Sequence, residues 1–97
     1  MNFLNKQPSE VFPFSFDFVD CLDIAETILS KTVTAIELVH NADATSTVID
    51  SSSIDGTKIV VKVQAGIDRV DYKITIKVTT SGGNTFEEEV TMNVVEE

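Results

Sequence analysis

Residues 11–19 read "VFPFSFDFV" and place Phe12, Phe14, Phe16 and Phe18 at every second position, four of the six phenylalanines in a 97-residue chain without tryptophan. Side chains of an extended strand alternate between its faces, so the four rings share one face while Pro13, Ser15 and Asp17 share the other. Wound as a helix, the same rings would spiral around the axis, and Pro13 would interrupt the hydrogen-bond ladder. The stretch is therefore expected to be a strand with an aromatic inner face. Pro13 has no N–H to give a neighbour, which puts this strand at a sheet edge or makes it cross between sheets near that point.

Period-two alternation continues downstream. "DCLDIAETILSK" at 20–31 reads either as a short helix, through Leu22, Ala25, Ile28 and Leu29, or as a turn followed by a strand at about 26–30. From Thr32 to His40 the strand pattern returns, with Thr34, Ile36, Leu38 and His40 on one face and Val33, Ala35, Glu37 and Val39 on the other. "NADATS" is a loop by composition, and "STVID" is expected as a brief strand. After the Asp55-Gly56 turn signal, Ile59, Val61 and Val63 form the inner face of another strand.

The cleanest alternation sets Tyr72, Ile74, Ile76 and Val78 against Asp71, Lys73, Thr75, Lys77 and Thr79. The last strand carries Phe86, Val90, Met92 and Val94 at even positions. Directly opposed residues of an antiparallel pair share a face, so paired numbers must sum to an even value, which excludes a two-residue Gly82-Gly83 turn. A three-residue loop, Gly82-Gly83-Asn84, would pair Ser81 with Thr85, Val78 with Glu88, Ile76 with Val90, Ile74 with Met92, Tyr72 with Val94, and Lys77 with Glu89 on the outer face.

Six or seven short strands, one core and a single cysteine, Cys21, predict an all-β fold: an antiparallel immunoglobulin-like β-sandwich of about seven strands, with a small barrel as the alternative. Tyr72 opens the penultimate strand, where sandwiches often carry a tyrosine corner; simple core packing is the other reading. Ninety-seven residues fill one domain. Residues 11–97 are assigned to it and residues 1–10 to an N-terminal arm. That arm, "MNFLNKQPSE", has neither the apolar run nor the small-residue cleavage site of a secretory signal, and no stretch has the length of a membrane helix, so a soluble chain made in the cytoplasm is expected.

A formal net charge of −9 argues against a nucleic-acid backbone as partner, which needs clustered Lys and Arg. Five of the seven basic residues, Lys58, Lys62, Arg69, Lys73 and Lys77, lie between positions 58 and 77, compatible with a basic stripe on one sheet. No constellation for catalysis, cofactor binding or metal binding stands out. His40 is the sole histidine and reads as a strand-end residue, and Cys21 reads as a small buried hydrophobe. Asp17, Asp20, Asp23 and Glu26 recur every third position without the calcium-loop pattern and read as a solvated rim. The acids of "FEEEV" and Glu96-Glu97 read as solvent-facing charge that discourages edge-to-edge aggregation.

The stretch "PSEVFPFSFDFVDCLDIAETI", Pro8 to Ile28, resembles the opening of a family of small Ig-like virion proteins of tailed phages and prophages, the fibre-tail adaptor proteins. Phe14, Ser15, Phe16, Asp17, Phe18, Asp20 and Leu22 fill its aromatic strand, and Glu26, Thr27 and Ile28 its acidic-Thr-Ile step. "AGIDRVDYKITIKVTTSGGNTFEEEVTMNV" is similar to its second half through Gly66, Tyr72, Thr79, Thr80, Ser81, Gly82 and Gly83. Phe18 and Cys21 stand where tryptophans are common in that family, and the glycine that often precedes its Tyr strand is absent at Arg69 or Val70. The resemblance implies an Ig-like protein of the virion, made in the bacterial host cytoplasm, with other tail or connector proteins as partners and no catalytic residue.

Two functional classes follow: a non-enzymatic structural adaptor acting through protein–protein contacts, which is favoured, and an adhesion or carbohydrate-binding module. No membrane or nucleic-acid partner is expected of the adaptor, and a homo-oligomer is compatible with it. Phe3 and Leu4 are its candidate partner contacts, on an extension that either docks on an adjacent subunit or covers the domain's own core edge.

Overall fold

The aromatic stretch is an edge strand. In a computed structural model, which describes residues 2–96, β2 (Phe12–Asp17) pairs on one side only, with β6 (Lys58–Val63), and Pro13 lies opposite Lys62. Phe12, Phe14 and Phe16 are half-buried against the core, while Phe18, just past the strand, is completely buried with its ring edge-on to Phe16 at 5.0 Å. An edge strand has a neighbour on one side only, so its rings are less completely covered than the inner side chains of β6. Phe18 sits where the chain folds back over the end of the two layers.

The remaining elements are β1 (Asn2–Lys6), a 3₁₀ turn (Val19–Cys21), β3 (Ile28–Glu37), β4 (Ala42–Asp43), α1 (Thr45–Val48), β5 (Ile49–Asp55), β7 (Val70–Thr80) and β8 (Thr85–Val94). They form a five-stranded sheet in the order β1-β8-β7-β3-β4 facing a three-stranded sheet in the order β2-β6-β5. The fold is thus an all-β sandwich with eight strands among the described residues. Every pairing is antiparallel except β1 with β8, which is parallel.

The core lies where alternation predicts it. Tyr72, Ile74, Ile76 and Val78 of β7, Val90, Met92 and Val94 of β8, and Ile59, Val61 and Val63 of β6 are all buried. Each such side chain contributes about 1.5–3 kcal/mol through burial. Residues 20–31 hold turns followed by a strand from Ile28, so the helical alternative falls away. That strand ends at Glu37, and Leu38–Asn41 turn toward β4. A register shift between Ile28 and Ser30 changes the parity of β3, which is why Ile28 and Ala35 are both buried although one is even and the other odd.

Three local expectations are corrected. The segment expected as a "STVID" strand begins as the single-turn helix α1, because Thr45 is claimed from two sides: Asp43 Oδ1 accepts its N–H at 3.1 Å and its hydroxyl at 2.7 Å, and its Oγ1 accepts the Ala35 N–H at 2.9 Å. The β7–β8 hairpin keeps even parity and a three-residue loop, but the loop is Ser81-Gly82-Gly83. Thr80 N–H donates to the Asn84 carbonyl, and the register sets Ile74 against Val90, Tyr72 against Met92 and Val70 against Val94. Lys77 accordingly faces Glu87, and the ion pair in this region is Lys73 with Glu89 at 3.4 Å. Third, the basic residues form no single stripe: Lys58 and Lys62 belong to the three-stranded sheet, Lys73 and Lys77 to the other, and Arg69 to a loop.

Candidate functional site

The N-terminal segment enters the sandwich as β1, with Asn2 to Lys6 beside Val90 to Val94. Alternation sends Leu4 inward and Phe3 outward. Leu4 is half-buried against the core opposite Met92, whose other neighbour is Tyr72, so Leu4, Met92 and Tyr72 form one row across the inner face. Phe3 is 71% exposed. The two candidate contact residues therefore point to opposite sides of one edge strand, and only Phe3 is presented to solvent.

Two residues beyond Leu4, the same alternation buries Lys6, at 2% exposure. Its ammonium group uses all three donors on backbone carbonyls: Gln7 at 2.7 Å, Pro8 at 3.1 Å, and Ala65. Burial holds its pKa below the ordinary lysine value, with nearby Glu10 pulling the other way. Glu10 also closes the following turn, since its Oε1 accepts the Gln7 N–H at 2.7 Å. Asn5, Lys6, Gln7, Glu10, Asn93 and Val95 line an open, mostly polar hollow of about 430 Å³ beside this turn. Lys6 was not expected as a positioning residue. Its signal in the sequence is its parity with Leu4.

Tyr72 lies at the same end of the molecule, 1% exposed, and its hydroxyl accepts the Ile67 N–H at 3.0 Å. Just before Ile67, Gly66 adopts φ +99°, and a Cβ there would stand 2.9 Å from a Val94 methyl. Ala65 and Arg69 also hold positive φ, at 51° and 68°. The Arg69 N–H donates to the Val94 carbonyl at 2.7 Å. This loop thus binds β7, β8 and, through the Ala65 carbonyl, the Lys6 ammonium into one unit.

The residues weighed for chemistry are dispersed. His40 is exposed past the end of β3, its Nδ1 3.1 Å from Glu37 Oε2, and that contact holds the Glu37 carboxyl below its ordinary pKa. Cys21 is exposed, not buried as expected, because the 3₁₀ turn directs Phe18 and Leu22 toward the core and leaves Cys21 on the outside. Asp17 accepts the Thr57 hydroxyl at 2.7 Å and the Val19 N–H at 2.9 Å, and both bonds lower its pKa. Among the described residues no group of three or more His, Cys, Asp or Glu is placed to hold a metal ion, and no helix is long and apolar enough to cross a membrane.

Comparison with known proteins adds one match. A family model described as podophage GP4 fiber-tail adaptor protein gp77 matches residues 6–93. That span runs from the buried lysine of β1 almost to the end of β8. No curated protein matches the chain.

Proposed function

Because the chain belongs to the podophage GP4 fiber-tail adaptor family, we propose that it is a non-catalytic structural protein of a phage or prophage particle, holding tail, fibre or connector neighbours in place by contact alone. The observation that carries this reading is the family match, which spans nearly the whole sandwich and not one motif of it.

The immunoglobulin-like assignment is supported by strand order: β2-β6-β5 faces β3-β7-β8, the arrangement of such sandwiches, with β1 and β4 added at the borders of the larger sheet. The Tyr72 hydroxyl bonded to backbone five residues upstream supports the tyrosine-corner reading. Within residues 1–10, Leu4 seals the domain's own core edge and Phe3 is the side chain offered to a neighbour on the open border of β1.

Purified particles of the phage that encodes the chain provide the test. Mass spectrometry should find it at a fixed copy number per particle, and deleting its gene should yield particles without attached fibres. Particles that lack the protein, or that keep their fibres without it, would overturn the proposal.

A further inference from the structure

The segment joining the two sheets, residues 18–27, closes one end of the sandwich and is fastened on both flanks. On one flank Phe18 N–H donates to the Thr57 carbonyl, and the Thr57 hydroxyl to Asp17. On the other, Ser81 N–H donates to the Thr27 carbonyl at 2.8 Å while Thr27 N–H donates to Ser81 Oγ at 2.9 Å. Between these anchors Asp23–Glu26 makes a tight turn: Glu26 N–H donates to the Asp23 carbonyl, and Glu26 Oε1 accepts the Asp23 N–H at 2.9 Å. The second oxygen of the same carboxylate accepts the Thr80 hydroxyl and, at 3.0 Å, the Asn84 amide.

This fastened turn carries Ile24 at its corner, completely exposed, and Ala25 at φ +69°, a left-handed conformation that costs a non-glycine residue energy. An isoleucine held in water on a rigid corner does nothing for the core. Along the cap segment itself the charge has one sign. Residues 7–30 contain no Lys or Arg, and Asp20 and Asp23 are exposed alongside half-exposed Val19, while Asp17, further back, lies opposite Lys58 of β6.

We propose that this cap is a docking knob: Ile24 enters an apolar pocket rimmed by Lys and Arg on a different protein of the particle, with Asp20 and Asp23 meeting the basic rim. The proposal rests on the adaptor reading and names the surface and the partner chemistry for it. A two-fold contact of this cap with the same cap of a second copy is disfavoured, because it would set these carboxylates against their own equivalents. Because the turn is already ordered by Glu26, docking loses little conformational freedom, the condition under which one buried aliphatic anchor counts most.

The test uses particles assembled with Ile24→Ser, with the charge reversal D20K/D23K, and with benzoylphenylalanine at position 24 for photocrosslinking. Both substitutions should leave the melting temperature of the isolated protein unchanged while lowering incorporation about tenfold or more. The crosslink should fall on a peptide of another virion protein, next to Lys or Arg. Normal incorporation of either variant, or a crosslink to a second copy of this chain, overturns the inference while leaving the adaptor reading intact. Absence of the wild-type chain from particles overturns that reading itself, and this inference with it.

Discussion

The Tyr72 hydroxyl reaches back to the Ile67 N–H at 3.0 Å, joining the start of β7 to the loop that enters it. This contact pairs a donor that no strand claims. Tyr72→Phe keeps the packing and strands that N–H, so unfolding stability should drop by about 1–3 kcal/mol in urea titration with an unchanged slope.

Two positions in the same loop should respond in opposite directions. Gly66→Ala must hold φ +99° and push its Cβ into Val94, costing about 2 kcal/mol or more. Arg69→Gly relieves a residue at φ +68° and should stabilise by about 0.5–1 kcal/mol, since the Arg69 side chain is largely in water. Thermal melts of the two variants beside wild type check both signs.

Phe18→Ala should be the most damaging of the aromatic truncations, at about 3–5 kcal/mol, because its ring is wholly buried at the end of both sheets. Phe12→Ala, on the half-buried edge, should cost markedly less. Equal losses would mean that the edge strand contributes as much core as the cap beneath which Phe18 lies.

Acid should loosen the cap. The Glu26 carboxyl is held below its ordinary pKa chiefly by the Thr80 hydroxyl, then by the Asp23 N–H and the Asn84 amide. A lowered folded-state pKa contributes stability that is present at neutral pH and fades as pH falls below the ordinary carboxylate value of about 4.3. Glu26→Gln should therefore lower the melting temperature at pH 7, and its gap from wild type should narrow below pH 4. A gap independent of pH would show that the ionised form of Glu26 plays no part.

The core was legible because it follows one rule: β6, β7 and β8 bury alternate residues, and a period of two is visible without knowing the partners. What failed depended on side-chain hydrogen-bond partners, which periodicity does not reveal. The β7–β8 hairpin closes one residue earlier than the glycines suggest because Glu26, 54 residues before Thr80, claims both Thr80 and Asn84. Thr45 turns into a helix because Asp43 and Ala35 occupy its hydrogen bonds. Arg69 holds a positive φ without being glycine, a backbone state that its residue type does not announce. Of the candidate surface, Phe3 and Leu4 were legible as apolar residues; which of them faces water depended on β1 joining β8, a pairing between opposite ends of the chain.

That parallel pairing also fixes how the molecule carries tension. Asn2 to Lys6 run alongside Val90 to Val94 in the same direction, so a pull that draws the chain before β1 one way and the chain after β8 the other loads five registered pairs sideways and simultaneously. Ladder bonds stressed in shear must rupture as a group, whereas a hairpin peeled from its tip yields one bond at a time. The border of the larger sheet is built as a mechanical clasp between the two ends of the described chain.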